Sequence, residues 1–331
     1  MTLALPAALV PVLLLVLAAE FVNGWTDAPN AIATVVSTRV LTPNAAVVMA
    51  TGLNIAGAMA GTAVAATIGT GIVRADVIDT ITIAAAMLAI VVWSTLAWLH
   101  GLPTSESHAL VAALSGAGLA TAGRHALLWD GWQKVIIGLG FSTVLGFVGG
   151  FVLVLAVSWA FRRTPLGAAR RFFGRLQVLS AGFMAFSHGS NDGQKFIGVF
   201  TLALVLGKVL PEFVIPVWVI VLCALTMGVG TALGGWRIVH TMGMRLTKLE
   251  PYQGFAAETA AATAIEAAGR LGIPLSTTHT INTAIMGVGA SRRLSAVRWG
   301  VGAEIVTAWV LTFPACALIA GVAAVILRWI S

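Results

Sequence analysis

The chain has 331 residues, 59% of them hydrophobic and only 9% charged, with a formal net charge of +7. An ordinary soluble domain is about a quarter charged, so this composition excludes a soluble globular enzyme. Apolar runs long enough to cross a hydrocarbon core, about 20 helical residues each, recur from end to end and predict one membrane-embedded unit.

Ten hydrophobic passages are predicted, at about 3–38, 43–70, 77–99, 102–123, 131–160, 178–207, 212–236, 252–269, 272–290 and 299–327. The first opens on the apolar run Leu3 to Ala19, which lacks a basic flank and a small-residue cleavage pattern. It is therefore expected to stay as a span and not to be removed as a signal peptide. The same passage then carries the polar block Asn23-Gly24-Trp25-Thr26-Asp27-Ala28-Pro29-Asn30. The fourth passage begins Gly101-Leu102-Pro103-Thr104-Ser105-Glu106-Ser107-His108. Five arginines, Arg162, Arg163, Arg170, Arg171 and Arg175, separate the fifth passage from the sixth. The sixth carries His188-Gly189-Ser190-Asn191-Asp192-Gly193-Gln194-Lys195, and the ninth begins Gly272-Ile273-Pro274-Leu275-Ser276-Thr277-Thr278-His279. Cys223 and Cys316 each fall inside an apolar run, away from any Cys/His cluster, so no disulfide or metal framework is predicted.

These blocks repeat. The block ending at Asn30 matches the one ending at Lys195, and the block ending at His108 matches the one ending at His279, in the same order. The register continues from Gly116 to Gly287 and from Gly118 to Gly289. The predicted division is a first repeat at 1–160, a basic cytoplasmic linker at 161–177 and a second repeat at 178–331. Each half holds five passages, an odd number, so the second enters the membrane with opposite orientation: an all-α polytopic protein of two inverted-topology repeats. The short joins around Gly101 and Gly272 favour re-entrant hairpins over paired crossings, and broken helices of this kind meet near the midplane. With the Arg-rich segment cytoplasmic, Arg39, Arg237, Arg245, Lys248, Arg292, Arg293 and Arg298 fall on the same side. Both termini then face away from the cytoplasm. Orientation and anionic lipid account for the net charge, so nucleic acid is not an expected partner.

Charges at membrane depth cost at least about 2.5 kcal/mol each and are usually kept for function. Asp27 and Asp192 occupy equivalent positions, followed three residues later by Asn30 and Lys195, which a helix puts on the same face. Pro103 and Pro274 suit the first turn of a helix, and the hydroxyl-rich stretches behind them, Thr104, Ser105 and Ser107 against Ser276, Thr277 and Thr278, read as helix starts inside the membrane. Helix starts present unpaired N–H groups to anions, so two opposed ones predict an anion cradle, although Ser and Thr there also cap their own helices. His108 and His279 are expected to hydrogen-bond across a helix interface, with proton relay as the alternative. His188 is open between packing and gating. Among the other buried acids, Glu20, Glu106, Glu258, Glu266 and Glu304, the pair Glu258 and Glu266 shares a helical face and leads as a site for a coupling proton or sodium ion.

At these blocks the chain resembles the inorganic phosphate transporter (PiT) family, in its bacterial low-affinity permease form, whose signature GANDVANA occurs once in each half. The copies here read Gly24-Trp25-Thr26-Asp27-Ala28-Pro29-Asn30-Ala31 and Gly189-Ser190-Asn191-Asp192-Gly193-Gln194-Lys195-Phe196, with Thr26 and Pro29 as departures. The resemblance implies a secondary active transporter and not an enzyme, with no cofactor beyond a coupling sodium ion or proton, no resident metal, and a homodimer in the inner membrane. It makes Asp27, Thr104, Ser105, Asp192, Gln194, Ser276, Thr277 and Thr278 candidates for substrate contact. Coupling-cation candidates are Asp27, Asn30, Asn191, Asp192 and Glu258. Sulfate permeases share the family; a carboxylate can accept a hydrogen bond from protonated phosphate but repels sulfate, so the two aspartates favour phosphate. An anion channel is the remaining alternative, distinguished by indifference to cation gradients.

Overall fold

The computed structural model describes residues 6–330, so residues 3–5 of the first predicted passage and Ser331 lie outside it. Helices succeed one another along the chain: α1 Leu9–Ser37, α2 Pro43–Ala58, α3 Ala63–Gly71, α4 Thr80–Leu99, α5 Glu106–Ala122, α6 Trp129–Ala160 and α7 Leu166–His188. There follow α8 Gln194–Leu206, α9 Val217–Ala232, α10 Trp236–His240, α11 Pro251–Arg270, α12 Thr277–Arg292 and α13 Trp299–Ile330. Extended pairing among the described residues is limited to one antiparallel bridge between Val73 and Leu127.

Helix starts follow local chemistry. Thr42 caps α2 with Pro43 at its first position, Asp79 closes a capping box with Thr82 at α4, and Glu250 does the same with Gln253 at α11. Ser105 and Ser276 cap α5 and α12 by accepting from the backbone N–H of His108 and His279, at 3.4 and 3.2 Å.

Several passages differ from the sequence expectation. Passage 43–70 is two helices, α2 and α3, bent by 67°; passage 212–236 ends early, with α9 and the segment Trp236–Arg245 bent by 60°. The sixth passage is interrupted by a π-helical turn, Gly189–Gly193, between α7 and α8. Helix α7 begins at Leu166, so most of the predicted 161–177 linker is its first turns. Among the described residues, the helices long and apolar enough to cross a bilayer alone are α1, α4, α6 and α13, and the two bent pairs raise these four to six. Shorter elements such as α5 and α12, with 17 and 16 residues, are hairpin arms.

Both hairpins turn at a glycine in the left-handed region, Gly101 at φ +67° and Gly272 at φ +66°, a conformation that a Cβ disfavours. Each tip is anchored by a threonine from the opposite half: Thr241 donates to the Gly101 carbonyl and Thr67 to the Gly272 carbonyl, both at 2.8 Å. The packing is reciprocal throughout. Helix α13 covers α4 and α5, α6 covers α11 and α12, α1 lies on α9, and α2 lies on α7. Close approach is needed in the last two pairs, where Gly57 of α2 abuts the Phe186 carbonyl and Gly230 of α9 abuts the Phe21 carbonyl; a methyl group at either would collide with that oxygen.

Two apolar clusters form the interior. One gathers the first half of α1 with α3, α4, α5 and α8, the other the last turns of α1 with α2, α7, α11 and α12. Between them along α1 lies the buried polar stretch Glu20 to Asn30. The outer faces of α6 and α13 expose Phe141, Val144, Val148, Val310, Leu318 and Val322. Such faces are stable in hydrocarbon and not in water, as a multi-pass membrane protein requires.

Candidate functional site

The polar layer between the two clusters is built by α1, the π-helical turn and the tips of both hairpins. A π-turn inserts an extra residue and redirects side chains, a device common at functional sites. Here it turns Asp192 toward the first turn of α12, where Thr277 donates to its carboxylate at 2.8 Å. Asp27, on α1, accepts from the Thr278 hydroxyl at 3.4 and 3.3 Å to its two oxygens. Asn30, one turn further, donates to Thr278 at 3.0 Å and to Thr277 at 3.4 Å. The two aspartates that the repeat singled out therefore share one threonine pair.

Charge balance defines this place. Oxygens of Asp27 and Asp192 and a ring nitrogen of His188 all lie within 4.8 Å of one another, and all three residues are buried. Two carboxylates at such a distance repel by roughly 3–4 kcal/mol at an effective dielectric constant of about 20. Asp192 is paired with the Lys195 ammonium and has His188 Nε2 at 3.5 Å. Among the described residues, no Lys or Arg forms an ion pair with Asp27. The arrangement can hold a cation between the two acids, and the hydroxyl and amide groups around it can donate to an oxyanion.

The tips meet directly: Ser276 donates to Ser105 at 2.7 Å. Each also caps its own helix, while Thr277 and Thr278 face the two acids. Thr104 is buried in the tip turn, its N–H bonded to the Leu102 carbonyl at 3.0 Å. Gln194 is turned away from the acids. Its carboxamide accepts from the Val64 N–H at the start of α3, 3.0 Å, and donates to the Ser190 carbonyl, 2.6 Å. Asn191 donates to the Ile273 carbonyl at 3.5 Å, against the second tip. Glu258 belongs to a separate buried cluster, accepting from Thr34, Ser180 and Gln177.

Glu266 binds Ser190 and Arg270 instead, so the shared helical face does not bring it to Glu258. The expected hydrogen bonding of the paired histidines is replaced by aromatic packing: His108 and His279 meet edge to face with ring centroids 4.3 Å apart, and His279 stacks on Trp309 at 3.6 Å. None of their ring nitrogens has a hydrogen-bond partner among the described residues. One contributor escaped the sequence reading, and another was noted there only as a departure from the signature. Asn54 Oδ1 accepts from His188 Nδ1–H at 3.0 Å and fixes the ring beside Asp192. Thr26 donates to Glu106 at 3.1 Å, joining α1 to the first tip. The only signal for Asn54 was an isolated amide in an apolar run, which is enough to flag a polar partner but not to name it.

The chain is similar to several known proteins. The sequence profile described as "Phosphate transporter family" matches residues 23–320. A protein of Rhizobium meliloti (strain 1021) is 48% identical over 96% of both chains, and one of Bacillus subtilis (strain 168) is 39% identical over 95% of both; each is named "Probable low-affinity inorganic phosphate transporter". A solved structure titled "The sodium-dependent phosphate transporter" superposes with a TM-score of 0.91 at 25% identity, covering all of both chains.

Proposed function

The chain belongs to the phosphate transporter family, and from that premise we propose that it is a secondary active carrier that moves inorganic phosphate across the cytoplasmic membrane with sodium or protons, by alternating access. The observation that carries this reading is the convergence of Asp27, Asp192, Asn30, Thr277 and Thr278 in one buried layer between two apolar clusters. A protonated phosphate oxygen donates to a carboxylate while its other oxygens accept from Thr and Asn, a pattern that sulfate cannot complete. The cation enters beside Asp27 and offsets the charge that the anion would otherwise meet.

The reciprocal packing supports alternating access. Two inverted-topology halves, each supplying one hairpin and one bent pair to the other, can rock about the shared layer so that either side opens in turn. Glu258, joined to α1 through Thr34, is the second place in this reading for a coupling proton or cation. The carrier is taken to act as a homodimer.

Radiolabelled phosphate uptake into proteoliposomes under imposed sodium or proton gradients, with sulfate as competitor, tests the proposal. Concentrative, saturable uptake that sulfate leaves intact is expected. Asp27→Asn and Asp192→Asn should each lower it by about two orders of magnitude, as loss of a group acting on the transported species does. Uptake indifferent to both gradients would make the protein a channel, and wild-type rates in either variant would remove the site.

A further inference from the structure

Lys195 is fully buried, and its ammonium has three partners: the Asp192 carboxylate, the Ser107 hydroxyl at 2.5 Å and the Leu275 carbonyl at 3.1 Å. An ammonium has three donors and no acceptor, so none is left over for a substrate oxygen. Carboxylate, hydroxyl and carbonyl oxygens are also the groups that enclose hard metal cations. The side chain thus sits as a small cation in a cage of oxygens from both halves.

The repeat supplies the comparison. Asp27 corresponds to Asp192, Asn30 to Lys195 and Thr278 to Ser107. In the first half the cross-half contact recurs, with Asn30 donating to Thr278 as Lys195 donates to Ser107. What differs is the charge: a carboxamide stands beside Asp27 where an ammonium stands beside Asp192. One of two equivalent acids is neutralised by the chain itself.

We propose that the Lys195 ammonium is a tethered cation that permanently fills the second of two equivalent cation positions, leaving one exchangeable cation to be taken at Asp27 in each transport cycle. This rests on the carrier reading above and deepens it: Lys195 sets the number of cations coupled. It is not a ligand of the anion. A chain with a neutral side chain at that position would need one more cation from solution.

The test compares wild type with Lys195→Asn and Lys195→Met in proteoliposomes, with sodium titrated against N-methyl-D-glucamine at constant ionic strength. The Asn variant restores a neutral oxygen ligand and so should gain one sodium in its requirement, its Hill coefficient for sodium rising by about one over wild type. The Met variant supplies neither charge nor ligand, and sodium should not rescue it. An unchanged sodium response in Lys195→Asn overturns the proposal. Should that variant fold but not transport, its thermal melting decides: sodium should raise its Tm by several degrees more than that of wild type, as a ligand bound to the folded state does, and equal shifts overturn the proposal. Ser107→Ala, which removes one oxygen from the cage without touching the charge, gives a milder reading of the same kind if both lysine variants misfold: a modest loss of uptake with no added sodium requirement is expected, and full retention of rate and melting temperature counts against the cage. Failure of wild type to carry phosphate under any gradient would instead reject the carrier reading, while the sodium shift of the Asn variant would still report on Lys195.

Discussion

Asp27 and Asp192 are equivalent in the repeat, yet removing their charges should affect folding in opposite directions. Asp192→Asn leaves the Lys195 ammonium buried without its anion, and breaking a buried pair from one side costs about 3–5 kcal/mol. Asp27→Asn removes a carboxylate that has no basic partner among the described residues and a like charge nearby. Thermal melting in detergent should therefore place Asp192→Asn well below wild type and Asp27→Asn at or above it; equal shifts would mean that Lys195 serves both acids. Thr277→Val is expected to raise the KM for phosphate with less effect on maximal rate, since it deletes one donor while leaving both charges. Much of this layer was legible in the sequence because a polar residue inside an apolar run is conspicuous, and the repeat showed which of them belong together. What could not be read was direction. Gln194 and Ser105 have the right chemistry at the right depth, but the first is consumed by the start of α3 and the second by its own helix and Ser276.

Elements were predicted well where the apolar run is long and little interrupted, as in α6 and α13, and poorly where the chain bends. The break between α2 and α3 falls at 59–62, in a run whose hydropathy barely changes, and both helices pack on elements of the other half. Helix starts are local and can be tested singly. Asp79→Ala removes the capping box of α4 and its contacts to Arg328, 2.8 Å from both carboxylate oxygens, and should cost about 0.5–2 kcal/mol. Burial pushes the Asp79 carboxyl up, but Thr82 and Arg328 outweigh it and hold the group below the usual carboxylate range. The stability it contributes is accordingly present above the unfolded-state value and fades as pH falls through the lower folded-state value. Melting curves between neutral and acid pH should show wild type and Asp79→Ala converging at the acid end. In the bent pair, Gly57→Ala forces α2 off the Phe186 carbonyl and should cost about 1–3 kcal/mol.

At the scale of the whole molecule, neither half has a complete core. The hairpin α4–α5 is covered by α13 and the hairpin α11–α12 by α6, so residues 1–160 and 161–331 are expected to be degraded when expressed apart and to co-purify when expressed together. Recovery of either piece alone as a monodisperse, protease-resistant protein would show that the halves fold independently. Hydropathy predicted an odd number of passages per half, but this exchange of covers was not readable, since periodicity records that a face is apolar and not which helix meets it. The exchange also has a temporal side. Roughly 180 residues separate the end of α5 from the start of α13, and at about 5–20 residues per second the ribosome needs on the order of ten seconds or more to supply them. Through that interval the α5 surface bearing His108 and Gly116 awaits its neighbour, so the nascent chain should depend on an insertase or chaperone to shield it, and pausing of translation before Trp299 should lower the yield of folded carrier more than an equal pause after it.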